Sequence, residues 1–401
     1  MSKLFSRIDD KLGNIKDQHI VYLAVILSFL HYTVSIVGIS LLFIYILFYK
    51  TKMIFSRKSS FVLLPFAVIA LGAAVFYRNY LGLIAGAGFL AVLFIGQYLK
   101  SVLTKQLVEK MLKLACYMFL YTGLYAIIEF VLVRVFYIDN GHSGRVASVF
   151  FNPNYYGSIC AIMLGVALYK LFVGNMKNPL YYFTVLSALI GLLLCMSIFS
   201  IFEAIICVAL ILYYTNHRYL LATYLCLIVL AFVIIFYVPA LFTRLSDVFA
   251  TLSQRVRIWR LSFIEIGQAP LFGKGAMTYN LISPDFKGKL DFAVYVNYHA
   301  HNLVLDSLIN YGFIGTGILL YFVVSIVKKC SRENLNQRDY MLFSLIKAVF
   351  IAMLCHSFVD ITFFWVQTGM LYMLIFSIIG ALYKTPLPLN TEIEQSTQIL
   401  D

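Results

Sequence analysis

Charge is what this chain has least of. Only 12% of its 401 residues are Asp, Glu, Lys or Arg, and the acidic ones number 18. A soluble domain carries roughly twice that charged share, so the soluble globular class is excluded. Proline (8) and tryptophan (2) are also scarce. The seven cysteines, at 116, 160, 195, 207, 226, 330 and 355, include no Cys-x-x-Cys pair. Neither a zinc site nor a disulfide framework is therefore indicated. The cysteines sit in or beside apolar runs and read as small buried hydrophobes. Residues 1–18 are polar and lack a small-residue cleavage site, so they read as a cytoplasmic amphipathic lead-in rather than a signal peptide. No repeat of 20–50 residues is visible. No basic stripe interleaved with aromatics marks a nucleic-acid module.

What fills the chain is hydrocarbon: 62% of the residues are hydrophobic and 16% aromatic. Apolar segments fall at 19–33, 35–49, 60–77, 80–99, 114–136, 155–173, 180–197, 199–214, 219–239, 302–327, 341–359 and 362–383. Continuous runs of this kind predict membrane helices, whereas a barrel shows alternation. Lys and Arg crowd residues 1–18, 50–58, 100–113 and 328–338. These clusters share the cytoplasmic side only if 19–49 is a hairpin and 180–214 crosses twice. The expectation is an all-α integral membrane protein of about twelve transmembrane helices, both termini cytoplasmic. Segments 19–239 supply helices one to nine and 302–383 supply ten to twelve. The tail, 384–401, is polar and predicts disorder. Most of the formal charge of +13 is then a topology signal from flanks touching anionic headgroups.

One long polar stretch stands apart, residues 240–301, expected outside the membrane and carrying short helices. It holds Arg244, Arg255, Arg257, Arg260, Lys274, Lys287 and Lys289 against Asp247, Glu265, Asp285 and Asp291. Positive charge on the outer side opposes the topology bias and points to an anionic ligand, since guanidinium forks bind phosphate bidentately. Loop solubility with local ion pairs is the plainer reading of any single Arg. Residues 253–268 look helical, with Arg255 and Trp259 on one face and Trp259 at the membrane surface. Pro270 ends that helix, and Gly273 and Gly275 allow a tight turn.

The loop closes on His299 and His301, at the mouth of an apolar segment. Imidazole titrates near neutrality and can take a proton from a hydroxyl, which makes His301 the candidate base. Asn302 is the better helix-capping type. A second outward loop supplies Arg145, Asn152 and Asn154 as phosphate or sugar contacts, although Asn-Pro-Asn also reads as a helix start. Glu129, Arg134, Glu203, Lys347, His356 and Asp360 are ionisable groups within apolar segments, hence costly and candidates for function. Structural pairing is the plainer role for each.

Four segments together resemble the O-antigen ligase/polymerase superfamily of membrane glycosyltransferases. They are Arg145 to Gly157, with Asn152-Pro153-Asn154; Arg255 to Gly275, with Trp259 and Pro270-Leu271; His301 to Gly315, with Asn302; and His356 to Gly369, with Asp360. Each motif is degenerate alone, but their order and spacing span most of the chain. One departure stands out. The family's Thr/Ser-x-Ser-Arg near the eighth helix reads here Ser197-Ile198-Phe199-Ser200, without Arg.

The resemblance implies a GT-C-like fold in a bacterial plasma membrane. It implies an undecaprenyl-pyrophosphate-linked oligosaccharide as donor and another as acceptor. Flippase and chain-length-regulating proteins would be further partners. The chemistry implied is inverting, without metal or other cofactor. His301 would deprotonate the acceptor. Arg255 would stabilise the pyrophosphate, with Arg145 and Arg257 available in place of the missing Arg. Asn152, Asn154, Trp259, Asn302, Glu203, His356 and Asp360 complete the candidate site. No carboxylate pair of metal-binding spacing occurs in the outer loops, in keeping with that. Scarce Gly and Pro beside abundant Tyr, Phe, Ile and Lys tilt the reading to a polymerase of capsular or exopolysaccharide units. Ligation onto another acceptor stays open. A lipid-linked sugar transporter also stays open, although no half-to-half repeat shows.

Overall fold

The computed structural model describes residues 12–56, 58–174, 176–237, 239–282, 299–327 and 335–382. Most of the amino-terminal lead-in, the tail 384–401, and the loop residues Asp285, Lys287, Lys289 and Asp291 lie outside them, as do the side chains of Arg244 and Asp247.

Thirteen helices of twelve or more residues order the described chain. They are α1 (Asp17–Ser28), α2 (Tyr32–Tyr49), α3 (Leu63–Phe76), α4 (Tyr80–Val102), α5 (Lys105–Arg134), α6 (Pro153–Tyr169) and α7 (Pro179–Cys195). Then follow α8 (Ile198–Tyr214), α9 (Arg218–Tyr237), α10 (Pro239–Gln268), α11 (Leu303–Val327), α12 (Gln337–Ser357) and α13 (Val366–Ser377). Polar caps mark where several start. Asn79, Thr104, Asn152, Asn178, Ser197 and Asn336 each accept a first-turn N–H. Pro153 and Pro179 fill the first helical position, where no amide is needed.

Among the described residues, six helices are long and apolar enough to cross a membrane, and six more apolar helices are shorter. All twelve expected segments coincide with one of these. The chain is therefore an all-α multi-pass membrane protein. At 1.5 Å per residue these shorter apolar stretches, Arg218–Ala231 of α9 among them, fall below a full bilayer width, so length alone does not make every one a crossing.

Both expected reversals are present. Lys50 at the end of α2 returns to the start of α1, donating to the carbonyl of Ile15 and lying 3.6 Å from Asp17. The α7–α8 turn at Met196 and Ser197 puts Met196 in the left-handed region. Both helices then pack on α6, in opposite directions. Gly191 meets Cys160, whereas Gly165 meets Cys207. Consequently Lys50, Lys105, Glu109, Lys170 and Asp339 share one end of the bundle, where Lys105 pairs with Asp339 at 2.7 Å. Arg145, Arg255, His301 and Asp360 share the other.

Two expectations are corrected. The helix expected over 253–268 begins at Pro239 and runs 30 residues unbroken, so the described part of the polar stretch is built on one long helix and a 3-10 turn, Thr278–Leu281. Its amphipathic second half packs on α11 through a small separate core of Ile258, Leu261, Tyr279, Ile282, Leu305 and Ile309. Trp259 is half-buried against this core.

The second correction concerns α11, which is two half-helices. Gly312 breaks it with φ 65° and ψ −174°, a conformation nearly confined to glycine. The Pro270–Gly275 loop enters the break and repairs it. Lys274 and Gly275 donate to the carbonyls of Ile309 and Asn310, at 3.3 and 2.8 Å. Phe313 and Ile314 donate to the carbonyls of Pro270 and Leu271, at 2.8 and 3.0 Å. Irregular backbone at such depth is tolerated only when every polar group finds a partner. The approach leaves no room for a side chain, since a Cβ on Gly312 sits 2.3 Å from the Leu271 carbonyl.

Candidate active site

Asp360, just past the end of α12, is 2% exposed and gathers the site around it. Its two oxygens have separate partners. Oδ1 faces His301 Nδ1 at 3.1 Å and His299 Nε2 at 3.4 Å, and accepts the Ile361 amide at 2.8 Å. Oδ2 accepts Asn154 Nδ2 at 2.6 Å and lies 3.9 Å from Arg255 Nη2. Burial pushes this carboxyl up. The hydrogen bonds from His299 and His301, with their charge, outweigh it and hold Asp360 well below the usual carboxylate range. His299 shifts down instead, chiefly through burial and then through His301 beside it.

The two histidines are held from behind. Ala300, between them, has its amide on Asp306 Oδ1 at 2.8 Å and its carbonyl on the Trp259 indole at 3.1 Å. Asp306 is itself fixed by Asn310, whose Oδ1 accepts the Thr278 amide. With its backbone clamped on both faces, Ala300 aims one ring from each side at the same carboxylate oxygen. His301 takes φ 51°, and the rings stand 4.2 Å apart. Asn302 caps α11, accepting from the amides of Val304 and Leu305, as expected.

Arg255 is 5% exposed and lies over the Phe199 ring, 4.5 Å from guanidinium carbon to centroid. The α8 start, which lacks the anticipated Arg, thus offers an aromatic platform for an Arg from α10. Burial lowers the Arg255 pKa and Asp360 opposes the shift; the group stays cationic. Its Nη1 is buried with no hydrogen-bond partner. A desolvated donor of this kind is costly unless a ligand completes it. Arg257 and Arg260 are exposed on other faces of α10.

Arg145 donates Nε to the Cys195 carbonyl at 2.9 Å and Nη2 to Asn154 Oδ1. Asn154 therefore bridges Arg145 to Asp360. The capping role falls to Asn152, which accepts the Asn154 amide at 2.8 Å. The helix-start chemistry read from Asn-Pro-Asn thus belongs to the first asparagine. The loop bearing Arg145 hangs on Glu129, whose carboxylate accepts Asn140 Nδ2 and the amides of Ala147 and Ser148.

Glu203 and His356 are not part of this ring. They form a second buried cluster beneath it. Glu203 accepts Ser158 at 2.7 Å and Tyr372 at 3.0 Å. His356 Nδ1 lies 3.0 Å from Glu203 Oε2, off the line of a hydrogen bond. The cluster ties α6, α8, α12 and α13 together, and the His356 carbonyl accepts the Asp360 amide.

Beside the site lies an apolar cavity of about 570 Å³, walled by Ile36, Phe43, Leu81, Ile84, Trp365 and Val366. His299, Asp306 and Asn310 are its polar end. The sequence reading undervalued His299, and it passed over Asp306 and Asn310. The sign was there: an acid in the first turn of an apolar helix wants a stated partner.

Residues 183–320 match the family model described as O-antigen ligase. That region carries the O-antigen ligase family signature. It takes in Glu203, Arg255, Trp259, His301 and Asn302; Arg145, Asn154, His356 and Asp360 lie outside it. The match supports membership of the O-antigen ligase/polymerase superfamily and membrane glycosyl transfer of that general type. No curated protein matches the sequence.

Proposed function

We propose that this O-antigen ligase family protein polymerises a lipid-linked polysaccharide, transferring an undecaprenyl-pyrophosphate-linked glycan to a hydroxyl of an acceptor repeat unit. The carrying observation is the ring of His301, Asp360, Asn154, Arg145 and Arg255 beside an apolar cavity with a polar mouth. Asp360 accepts the hydrogen bond from His301 Nδ1–H, which leaves the basic lone pair on Nε2. His301 removes the acceptor proton as its oxygen attacks the anomeric carbon. The bond from that carbon to pyrophosphate breaks on the opposite face, inverting the centre. Charge grows on the leaving pyrophosphate during this step. Arg255, with its uncommitted Nη1, meets that charge in a water-poor site, where fixed cations act most strongly. Arg145 adds a second cation held by Asn154. The apolar cavity suits part of the isoprenoid tail.

In this reading the site faces the outer side of the membrane, and the lysine-rich end faces the cytoplasm with both termini. The twelve helices all cross, the short ones at thinned or protein-lined positions.

The test is a reconstituted reaction. Purified protein is given an undecaprenyl-pyrophosphate repeat unit with EDTA present, and wild type is compared with His301→Ala and Arg255→Ala. A ladder of lengthened lipid-linked glycans, absent from both variants, is the expected result. No ladder from wild type with a competent substrate overturns polymerisation and turns attention to ligation onto another acceptor. A ladder abolished by EDTA overturns the metal-free mechanism.

A further inference from the structure

We propose that His299, His301 and Asp360 form a chelating site for one divalent transition metal of the zinc and copper class, and that its occupancy inhibits the protein. The binding claim stands on geometry alone. The inhibition claim rests on the role given to His301 above.

One ligand atom from each of the three residues lies within 4.8 Å of the other two. His301 Nδ1 and His299 Nε2 stand 3.1 and 3.4 Å from the same Asp360 oxygen. Ligands of a tetrahedral zinc are about 3.3 Å apart at ordinary bond lengths. The carboxylate spacing is already that of a bound ion, and a small ring rotation brings the two nitrogens into range of one centre. Two imidazoles and a carboxylate are a donor set favoured by zinc, copper and iron over magnesium or calcium.

The nearby cation does not forbid it. Arg255 addresses Oδ2, whereas both rings address Oδ1. A metal at Oδ1 and a guanidinium at Oδ2 share one carboxylate from opposite edges. The backbone is also preset, because the Ala300 clamp fixes the main chain between the two histidines before any ion arrives. Binding requires each ring to turn its bare nitrogen to the ion and carry its proton on the other nitrogen. Asp360 enters as the carboxylate it already is. An ion held this way takes the oxygen that orients His301, so proton removal from the acceptor stops.

The experiment titrates tag-free, detergent-purified protein with Co²⁺, whose visible absorption reports nitrogen and oxygen ligation separately from thiolate. The exposed Cys226 and Cys355 make that separation necessary. One Co²⁺ per chain with a nitrogen/oxygen spectrum, displaced by Zn²⁺, is expected. His299→Ala and, as a second variant, His299→Gln should weaken it by more than the roughly 10-fold that loss of even a supporting residue costs a metal site. Absence of binding, a thiolate spectrum, or affinity unchanged in a folded His299 variant overturns the site. Chain elongation is then followed with Zn²⁺ added and removed. Inhibition reversed by EDTA is expected, and weaker inhibition in the His299 variants relative to their own metal-free rates. Binding without inhibition overturns only the second claim. Stimulation by Zn²⁺ overturns it too, and the metal-free reading is tested separately, by the ladder formed with EDTA present and its loss in His301→Ala.

Discussion

Replacing Asp360 by Asn is the sharpest perturbation this site offers, because it keeps shape and removes charge. Asp360 accepts from His301, His299 and Ile361 on one oxygen and from Asn154 on the other. An amide cannot serve both sides. With its NH₂ on the Asn154 side two donors collide; with it on the other side both histidines lose their acceptor. Hydrogen bonds to a charged group contribute about 1.5–3 kcal/mol each. Arg255, 5% exposed, also loses the carboxylate 3.9 Å away. Leaving a buried charge without its partner costs about 3–5 kcal/mol of stability. In the reaction, the loss of one oriented base-partner contact of about 3 kcal/mol corresponds to roughly a hundredfold in rate. The assay is the initial rate of elongation, with thermal unfolding in detergent measured on the same preparation. A marked drop in melting temperature and a kcat lower by roughly 10²-fold or more are expected, within the range for general-base catalysis. If Asp360→Asn keeps wild-type kcat while His301→Ala is inactive, Asp360 does not orient the base and the argument fails.

Three further outcomes follow from the same geometry. Arg255→Lys keeps the charge but loses the planar stack on Phe199 and the second nitrogen, so kcat should fall roughly 10–100-fold with little change in KM; a change confined to KM contradicts a role in the transition state. Gly312→Ala forces a side chain into a backbone conformation costing about 1–3 kcal/mol and against the Leu271 carbonyl, so melting temperature and activity should both drop. Gly317→Ala, where a Cβ meets nothing within 4 Å, should be tolerated; equal effects at the two positions count against the repaired break. Acid should destabilise the fold. The folded Asp360 binds its proton less readily than the unfolded chain, so its contribution is present above about pH 4 and lost as pH falls further. His299, depressed below 6.5, acts with the same sign below that pH. Melting temperature should therefore decline on acidification from neutrality, and a rise contradicts these shifts.

Much of this arrangement could be read from residue order. Each long apolar run coincides with a helix, and the lysine clusters required the two reversals now seen at Phe29–His31 and Met196–Ser197. Asp360 stood out as an ionisable group beside apolar segments, Arg255 as a cation on the side where the topology bias disfavours one, and His301 as an imidazole at the mouth of an apolar segment. The misses share a cause. The extension of α10 back to Pro239 has mixed polarity, and periodicity over a window does not locate its start. The break in α11 depends on a loop some forty residues upstream, and no local pattern reports such a partner. Asn152 and Asn154 are the same residue type two apart; only tertiary packing decides which caps and which bridges. Asp306 went unassigned because its partners are a backbone amide and the Asn310 side-chain amide, both invisible to any scan for complementary charge.

Asn79 carries a consequence for how the molecule is made. Its amide nitrogen donates to the carbonyls of Lys274, at 3.2 Å, and Ala276, at 2.8 Å, while its oxygen caps the start of α4. The turn between α3 and α4 leaves the ribosome almost two hundred residues before that loop, and the loop leaves before α11. When the Pro270–Gly275 loop emerges, a finished docking point already waits for its carbonyls, while the amides of Lys274 and Gly275 find their partners only when α11 arrives. The loop is then a mould rather than a patch. α11 inserts as two half-helices around a segment its predecessors have set in place, so the last third of the chain takes its shape from the first fifth.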